Sequence, residues 1–306
     1  VIRNIRSFYL MSNFFNNIGR YLIPASLISL IPFVAFASGN LQANDFVGMS
    51  FWIISIGMVA ATVFFFIESM KVDAKWRTSL VVAGLVTMIA AVHYFYMRAV
   101  WVETYVPGEG GLTPTVYRYI DWILTVPLQI VEFYLILAAV GAVAGRVFWN
   151  LLIASLVMLI AGYCGEVGYV NVWLAFIVGM LGWGYILWAI FAGDAQENLS
   201  SAPEGVQSAF KTMRLIVLVG WAIYPLGYVL GYAGEQVDSS TLNGIYNIAD
   251  FVNKIAFGLM IWSAATSSIA EVEVKAEILA AFQETISPRL HSNLVLRAFI
   301  DDFGGL

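Results

Sequence analysis

An all-α bundle of seven membrane-crossing helices is the fold this chain predicts, and three observations carry it. The 306 residues are 60% hydrophobic and 11% charged, with a mean hydropathy of +0.82, too apolar for a soluble domain of this size. Seven apolar stretches each approach the roughly 20 residues that a helix needs to cross a bilayer. The few charged side chains inside those stretches recur at helical spacing. A net charge of −5, spread over loops and a tail, suggests no nucleic-acid role. Cys164 is the single cysteine, which excludes an internal disulfide. His93 and His291 are too few and too far apart for a histidine-based metal site.

Residues 1–37 stand apart from the fold. Arg20 precedes the apolar stretch Tyr21 to Phe36, which closes on Ala35-Phe36-Ala37 before Ser38 and Gly39, the pattern of a cleavable secretory signal. An uncleaved extra helix is the alternative, disfavoured by Pro24 and Pro32. The chain opens on Val1, and Met11 is a candidate later start. The crossings then run approximately Phe46 to Phe66, Ser79 to Met97, Val116 to Leu137, Val147 to Gly162, Val170 to Phe191, Leu215 to Tyr232 and Leu242 to Trp262. Residues 43–266 form one domain, and 267–306 a cytoplasmic tail read as a short amphipathic helix. Lys71, Lys75 and Arg77 follow the first crossing, Arg146 the third, and Lys211 with Arg214 the fifth. The other loops carry mainly Glu103, Glu109, Glu166, Glu235 and Asp238. Basic loops stay in the cytoplasm, so the mature N-terminus is expected outside a multi-pass protein of the cell (plasma) membrane, in agreement with a cleaved signal.

The polar residues within the crossings suggest chemistry. Lys254 shares the apolar run Leu242 to Trp262 with one other charged residue, Asp250, four positions earlier and on the same helical face. A charge at such depth is costly, so it faces a protein interior and usually has a task; a lysine amine in its neutral form can condense with an aldehyde. The plainer reading is a lysine that pairs with Asp250 to join two helices. The third crossing carries Arg118, Asp121, Thr125 and Glu132, which fall within about 60° of one another on a helix of 3.6 residues per turn. Asp121 and Glu132 are separated by roughly 16 Å along the axis, and so lie at different depths. Carboxylates at two depths suggest a proton relay. The alternative is a stripe that holds helices together by buried hydrogen bonds, an expensive use of three carboxylates with Arg118 and Lys254. Pro127 is tolerable between them because Thr125 and neighbouring helices can satisfy freed backbone groups.

Three separated segments, Arg118-Tyr119-Ile120-Asp121-Trp122-Ile123-Leu124-Thr125-Val126-Pro127-Leu128, Trp221-Ala222-Ile223-Tyr224-Pro225, and Ala249-Asp250-Phe251-Val252-Asn253-Lys254, resemble the microbial rhodopsins, most closely the proteorhodopsins. The resemblance implies seven helices around all-trans retinal, joined to Lys254 as a Schiff base. It implies a light-driven outward proton pump and no enzyme. Asp121 then matches the primary proton acceptor and counterion, Glu132 the cytoplasmic donor, Asp250 the second counterion and Arg118 the arginine of the outward route. Sodium-pumping members carry Asn-Asp-Gln where this chain has Asp121, Thr125 and Glu132, and chloride pumps lack the acceptor carboxylate. A sensory photoreceptor without net transport is the alternative function, and Glu132 argues against it because sensory members commonly lack a donor carboxylate.

The same resemblance singles out further residues. Trp122, Trp183, Trp221 and Tyr224 match positions that sandwich the polyene, with Met158 and Pro225 as weaker candidates for the wall. In a chain with 15% aromatics, each tryptophan taken alone is more readily lipid-facing or packing. His93, near the end of the second crossing, matches a histidine that contacts the acceptor aspartate; alone it reads as a structural histidine. Gln129 stands where blue-absorbing members have Gln and green-absorbing ones Leu, its plain alternative being an interhelical hydrogen bond. Phe176 stands where antenna-binding members have Gly, so no carotenoid antenna is expected. Membrane lipid, protons and a homo-oligomer, pentameric or hexameric, are the remaining partners the resemblance implies. The loop with Pro107-Gly108-Glu109-Gly110-Gly111 is longer than in close members, which leaves its fold open.

Overall fold

In the computed structural model the described residues are 41–234 and 237–290, with the side chains of 194, 268–276 and 279–290 set aside. The secretory signal read in residues 1–37 lies outside them, as do Glu235 and His291. Seven helices among the described residues are long and apolar enough to cross a membrane. They are α1 (Phe46–Ser69), α2 (Ala74–Thr104), α3 (Thr115–Ala138), α4 (Gly145–Glu166), α5 (Val172–Phe191), α6 (Glu204–Ala233) and α7 (Ser239–Leu290). A short helix, Asp194–Leu199, continues the line of α5.

Each helix alternates direction with the next, so the bundle has two ends. The starts of α1, α3, α5 and α7 share one end with Arg118; the turns after α1, α3 and α5 share the other with Glu132. Sequential helices pack side by side, and α7 closes the ring against α1, α2 and α6. The helix α3 lies deepest: 67% of its most apolar window is buried, against 22% for α6. That burial places the polar stripe of α3 on the bundle interior. The helix runs through Pro127 without a break. Thr125 Oγ1 donates to the Asp121 carbonyl at 2.9 Å, one turn earlier, rather than to the Ile123 carbonyl that Pro127 leaves free.

Several boundaries differ from the sequence reading. The helix α6 begins at Glu204, eleven residues before Leu215, because Glu204–Leu215 is amphipathic and buries Val206, Ala209, Phe210 and Met213. A window tuned to uninterrupted apolar runs passes over it. Two wide π-helical turns, Ile216–Gly220 and Val229–Ala233, interrupt α6. His93 lies eleven residues inside α2, which extends to Thr104. The tail does not start a separate short helix, since α7 continues unbroken for 52 residues to Leu290. The glycine-rich loop folds as a tight hairpin, bridged between Val106 and Gly110.

Candidate functional site

The depth of α3 and the curvature of the ring bring Lys254 and Asp121 together in the middle of the bundle. Both are buried, and Lys254 Nζ donates to Asp121 Oδ2. Asp250, one turn before Lys254 on α7, stands 3.7 Å from the same nitrogen. Its oxygens are taken by other donors: Tyr94 Oη at 2.8 Å, Tyr224 Oη at 2.7 Å and Trp122 Nε1 at 3.1 Å. Asp121 Oδ1, by contrast, has no hydrogen-bond partner. The two carboxylates share one lysine but are differently committed.

Arg118 sits toward the end of the bundle that carries the hairpin. Its Nη1 is 3.6 Å from Asp250 Oδ2, and its Nη2 donates to Asn243 Oδ1 at 2.9 Å and Asn247 Oδ1 at 3.0 Å. Asn247 Nδ2 passes the network on to Ser50 Oγ at 2.9 Å. The guanidinium also faces the ring of Tyr246 at 5.4 Å, a cation–π contact that partly replaces lost hydration. Charged hydrogen bonds and ring contacts of this kind make a buried arginine tolerable.

Glu132 occupies the opposite half. It is fully buried, and neither carboxyl oxygen makes a hydrogen bond. In the same half Phe133 meets Phe210 at 4.9 Å and Phe257 at 5.7 Å, both edge to face.

A cavity opens beside Lys254, bounded by α3, α4, α5, α6 and α7. Its lining includes Lys254, Trp122, Trp183, Trp221, Tyr224, Pro225, Met158 and Gln129, every residue proposed from the sequence for the chromophore pocket. Trp122 and Tyr224 meet edge to face at 5.1 Å, so the wall is rigid. Trp183 is fixed by donation from Nε1 to the Val217 carbonyl at 3.2 Å, a carbonyl presented by the first wide turn of α6. Asn253 grips the same turn from α7, donating to Gly220 O at 3.0 Å. Gln129 Nε2, buried in the lining, has no protein partner. An apolar slot lined by aromatic rings, with one lysine and a few polar groups, suits an elongated polyene aldehyde.

His93 lies near Asp121 without a hydrogen bond to it. Its Nδ1 engages the Ile89 carbonyl at 2.8 Å, and among the described residues no hydrogen bond joins it to Asp121, although it lies within electrostatic range. Sequence reasoning missed Tyr94, Asn243, Asn247 and Asn253, neutral residues with no charge to flag them. It also placed Glu166 among loop charges. The structure makes it the last residue of α4, half-buried, accepting from Tyr119 Oη at 2.7 Å and lining the cavity.

Residues 45–268 match the family described as bacteriorhodopsin-like protein. The chain belongs to this family, the seven-helix microbial rhodopsins. Within the family it is 56% identical over 246 residues to a blue-light absorbing proteorhodopsin of Gamma-proteobacterium Hot 75m4, covering 80% of this chain and 95% of that one. It is 54% identical over 245 residues to a green-light absorbing proteorhodopsin of Gamma-proteobacterium EBAC31A08, covering 80% and 96%. Among solved structures, a blue light-absorbing proteorhodopsin from Med12 superposes with a TM-score of 0.62 at 53% identity, covering 73% of this chain and all of that one. Xanthorhodopsin, described as a light-driven ion pump with dual chromophore, superposes at 0.66 with 27% identity over 74% and 94%. The chain is thus a multi-pass membrane protein of the microbial rhodopsin class.

Proposed function

We propose that the chain is a light-driven outward proton pump that binds all-trans retinal on Lys254 and absorbs in the blue. The observation that carries this reading is the pairing of Lys254 with Asp121 on one side and the isolation of Glu132 on the other. Once bound, retinal supplies light absorption and a light-driven change of shape that alters the proton affinity of the lysine nitrogen. The protein residues then handle the proton. Asp121 holds an oxygen free beside Lys254 and receives it. Asp250, saturated by Tyr94, Tyr224 and Trp122, stays as the fixed anion of the site. Arg118 and its asparagines conduct charge toward the hairpin end. Glu132, with no cation beside its carboxyl among the described residues, resupplies the nitrogen from the other half.

Direction follows from the loops. Lys71, Lys75 and Arg77, Arg146, and Lys211 with Arg214 all lie toward the Glu132 end, which supports a cytoplasmic placing of that end and an N-terminus outside. Phe176 lines the cavity and stacks on Tyr228 at 5.7 Å, which supports a pigment without a carotenoid antenna. Blue absorption rests on Gln129 alone, because blue and green relatives are almost equally similar. Illuminated cells or vesicles carrying the protein should acidify the outside, and a protonophore should abolish the signal. A visible pigment with no light-driven pH change and a photocycle of many seconds would establish the sensory alternative.

A further inference from the structure

The hairpin after α2 is anchored rather than free. Val106 N donates to Gly110 O at 2.8 Å and Gly110 N to Val106 O at 2.9 Å, with Gly108 and Gly110 at φ 89° and 86°, a region that favours glycine. Leu112 N is held by Thr104 Oγ1 at 2.9 Å. Gly111 lies so close to Trp101 that a Cβ there would stand 2.8 Å from the Trp101 carbonyl oxygen. Trp101 is itself fixed by Asp45, at 3.0 Å from Nε1. Two further bonds join this rigid piece to α7: Ser239 Oγ donates to Gly111 O at 2.9 Å, and Asn243 Nδ2 donates to Thr113 Oγ1 at 3.0 Å.

Asn243 is fully buried and faces both ways. Its Oδ1 accepts from Arg118, which can only donate, and its Nδ2 donates to the Ser239 carbonyl at 2.8 Å, which can only accept. The two one-way partners fix the orientation of the amide, so the third contact, to Thr113, follows from them. The guanidinium depends on this arrangement, because its Nε and Nη1 make no hydrogen bond and its carboxylate partner, Asp250, is 3.6 Å away. Without Asn243 the Nη2 group keeps Asn247 alone, and an arginine with spare donors beside an anion would shift toward that anion.

We propose that Asn243 is a positioning residue that splints Arg118 to the outer hairpin through Thr113, and so sets how promptly a proton leaves the outer face. The proposal rests on the reading of Arg118 as part of the outward route. It assigns the hairpin a part in transport that its distance from Lys254 would not suggest.

The test uses the full, retinal-loaded protein and two clocks after a flash: loss of the proton from the lysine nitrogen, read by absorbance, and arrival of a proton outside, read by a membrane-impermeant pH dye. Asn243→Leu and Thr113→Val should keep a visible band, while the interval between the first clock and the dye signal lengthens roughly tenfold, the kinetic equivalent of one hydrogen bond. Thr113→Ser keeps the hydroxyl and should restore the parent timing, an outcome that loss of packing alone would not give. Parent timing in Asn243→Leu overturns the proposal, as does equal delay in Thr113→Ser and Thr113→Val. If Asn243→Leu fails to fold, the Thr113 pair decides by itself. A parent protein that colours but releases no proton outside would sink the pump reading and this one with it, whereas a pumping parent with unmoved variants sinks this one alone.

Discussion

On the Arg118 side of Lys254, Tyr94, Tyr224 and Trp122 hydrogen-bond Asp250, and Asn243 and Asn247 hydrogen-bond Arg118 with Ser50 behind Asn247, all between 2.7 and 3.1 Å, while the carboxylate and the guanidinium face each other at 3.6 Å. On the other side Glu132 has no hydrogen bond at all and shares its half with Phe133, Phe210 and Phe257. Both halves bury carboxylates, so burial is not what distinguishes them. The difference is connection. A wired half stabilises separated charge before any proton moves, since its dipoles are already oriented. The apolar half offers few low-energy places for a proton besides Glu132 itself, so transfer through it has to pass by that carboxyl. An asymmetric pair of half-channels around one nitrogen is what a vectorial pump needs, and neither half alone would give direction.

Removing the shared nitrogen is the largest way to break the comparison. Lys254→Ala should fold as a bundle, because Lys254 contributes one helix contact among many, yet give no visible band with all-trans retinal. Asp250 would then face Arg118 alone, Asp121 would lose its one side-chain partner, and the two halves would have nothing to divide. Absorption spectra of the purified variant decide it, and a normal band would remove Lys254 from the site.

A smaller effect separates the halves from each other. Asp121→Asn strikes where the halves meet and should both shift the band to longer wavelength and stop transport, since the counterion and the acceptor vanish together. Glu132→Gln strikes the apolar half, about 16 Å away along α3, and should leave the colour nearly unchanged. It should slow return of the proton to the lysine nitrogen by roughly a hundredfold, in the range expected for loss of a positioned acid. Flash absorbance measures both. Identical recovery in Glu132→Gln and the parent would make Glu132 a structural residue and the apolar half a plain hydrophobic seal.

The legibility of the two halves in the sequence follows the same division. Asp121, Glu132 and Lys254 stand out because a charge within an apolar run is rare and its helical spacing can be counted. Asn243, Asn247 and Tyr94 leave no such trace: a neutral amide or phenol in a membrane helix is common, and only the fold shows that Arg118 or Asp250 is at the other end of the bond. Glu166 misled for the opposite reason. It is charged and stands at the end of a helix, where sequence cannot tell a solvated cap from a group turned inward onto Tyr119. The start of α6 at Glu204 was hidden because its first turns are amphipathic and carry Lys211 and Arg214. The seven crossings themselves were readable from apolar length alone.

The smallest effect sharpens the comparison at the cavity between the halves. Gln129 projects from α3 between Asp121 and Glu132, is only 3% exposed, and lines the pocket with its Nε2 free of protein partners. An amide used as an interhelical strut would spend that donor on a neighbouring helix; here it is left for whatever fills the cavity. A dipole fixed beside the polyene changes the gap between its electronic states, and resemblance to the blue-absorbing members gives the sign. Gln129→Leu should therefore move the maximum to longer wavelength while outward proton transport continues, because neither Asp121 nor Glu132 depends on the amide. Spectra and light-driven acidification of the same preparation test both parts together. A parent that already absorbs in the green, unmoved by Gln129→Leu, would assign colour to the other walls of the pocket, with Trp122, Trp183 and Tyr224 the next to vary.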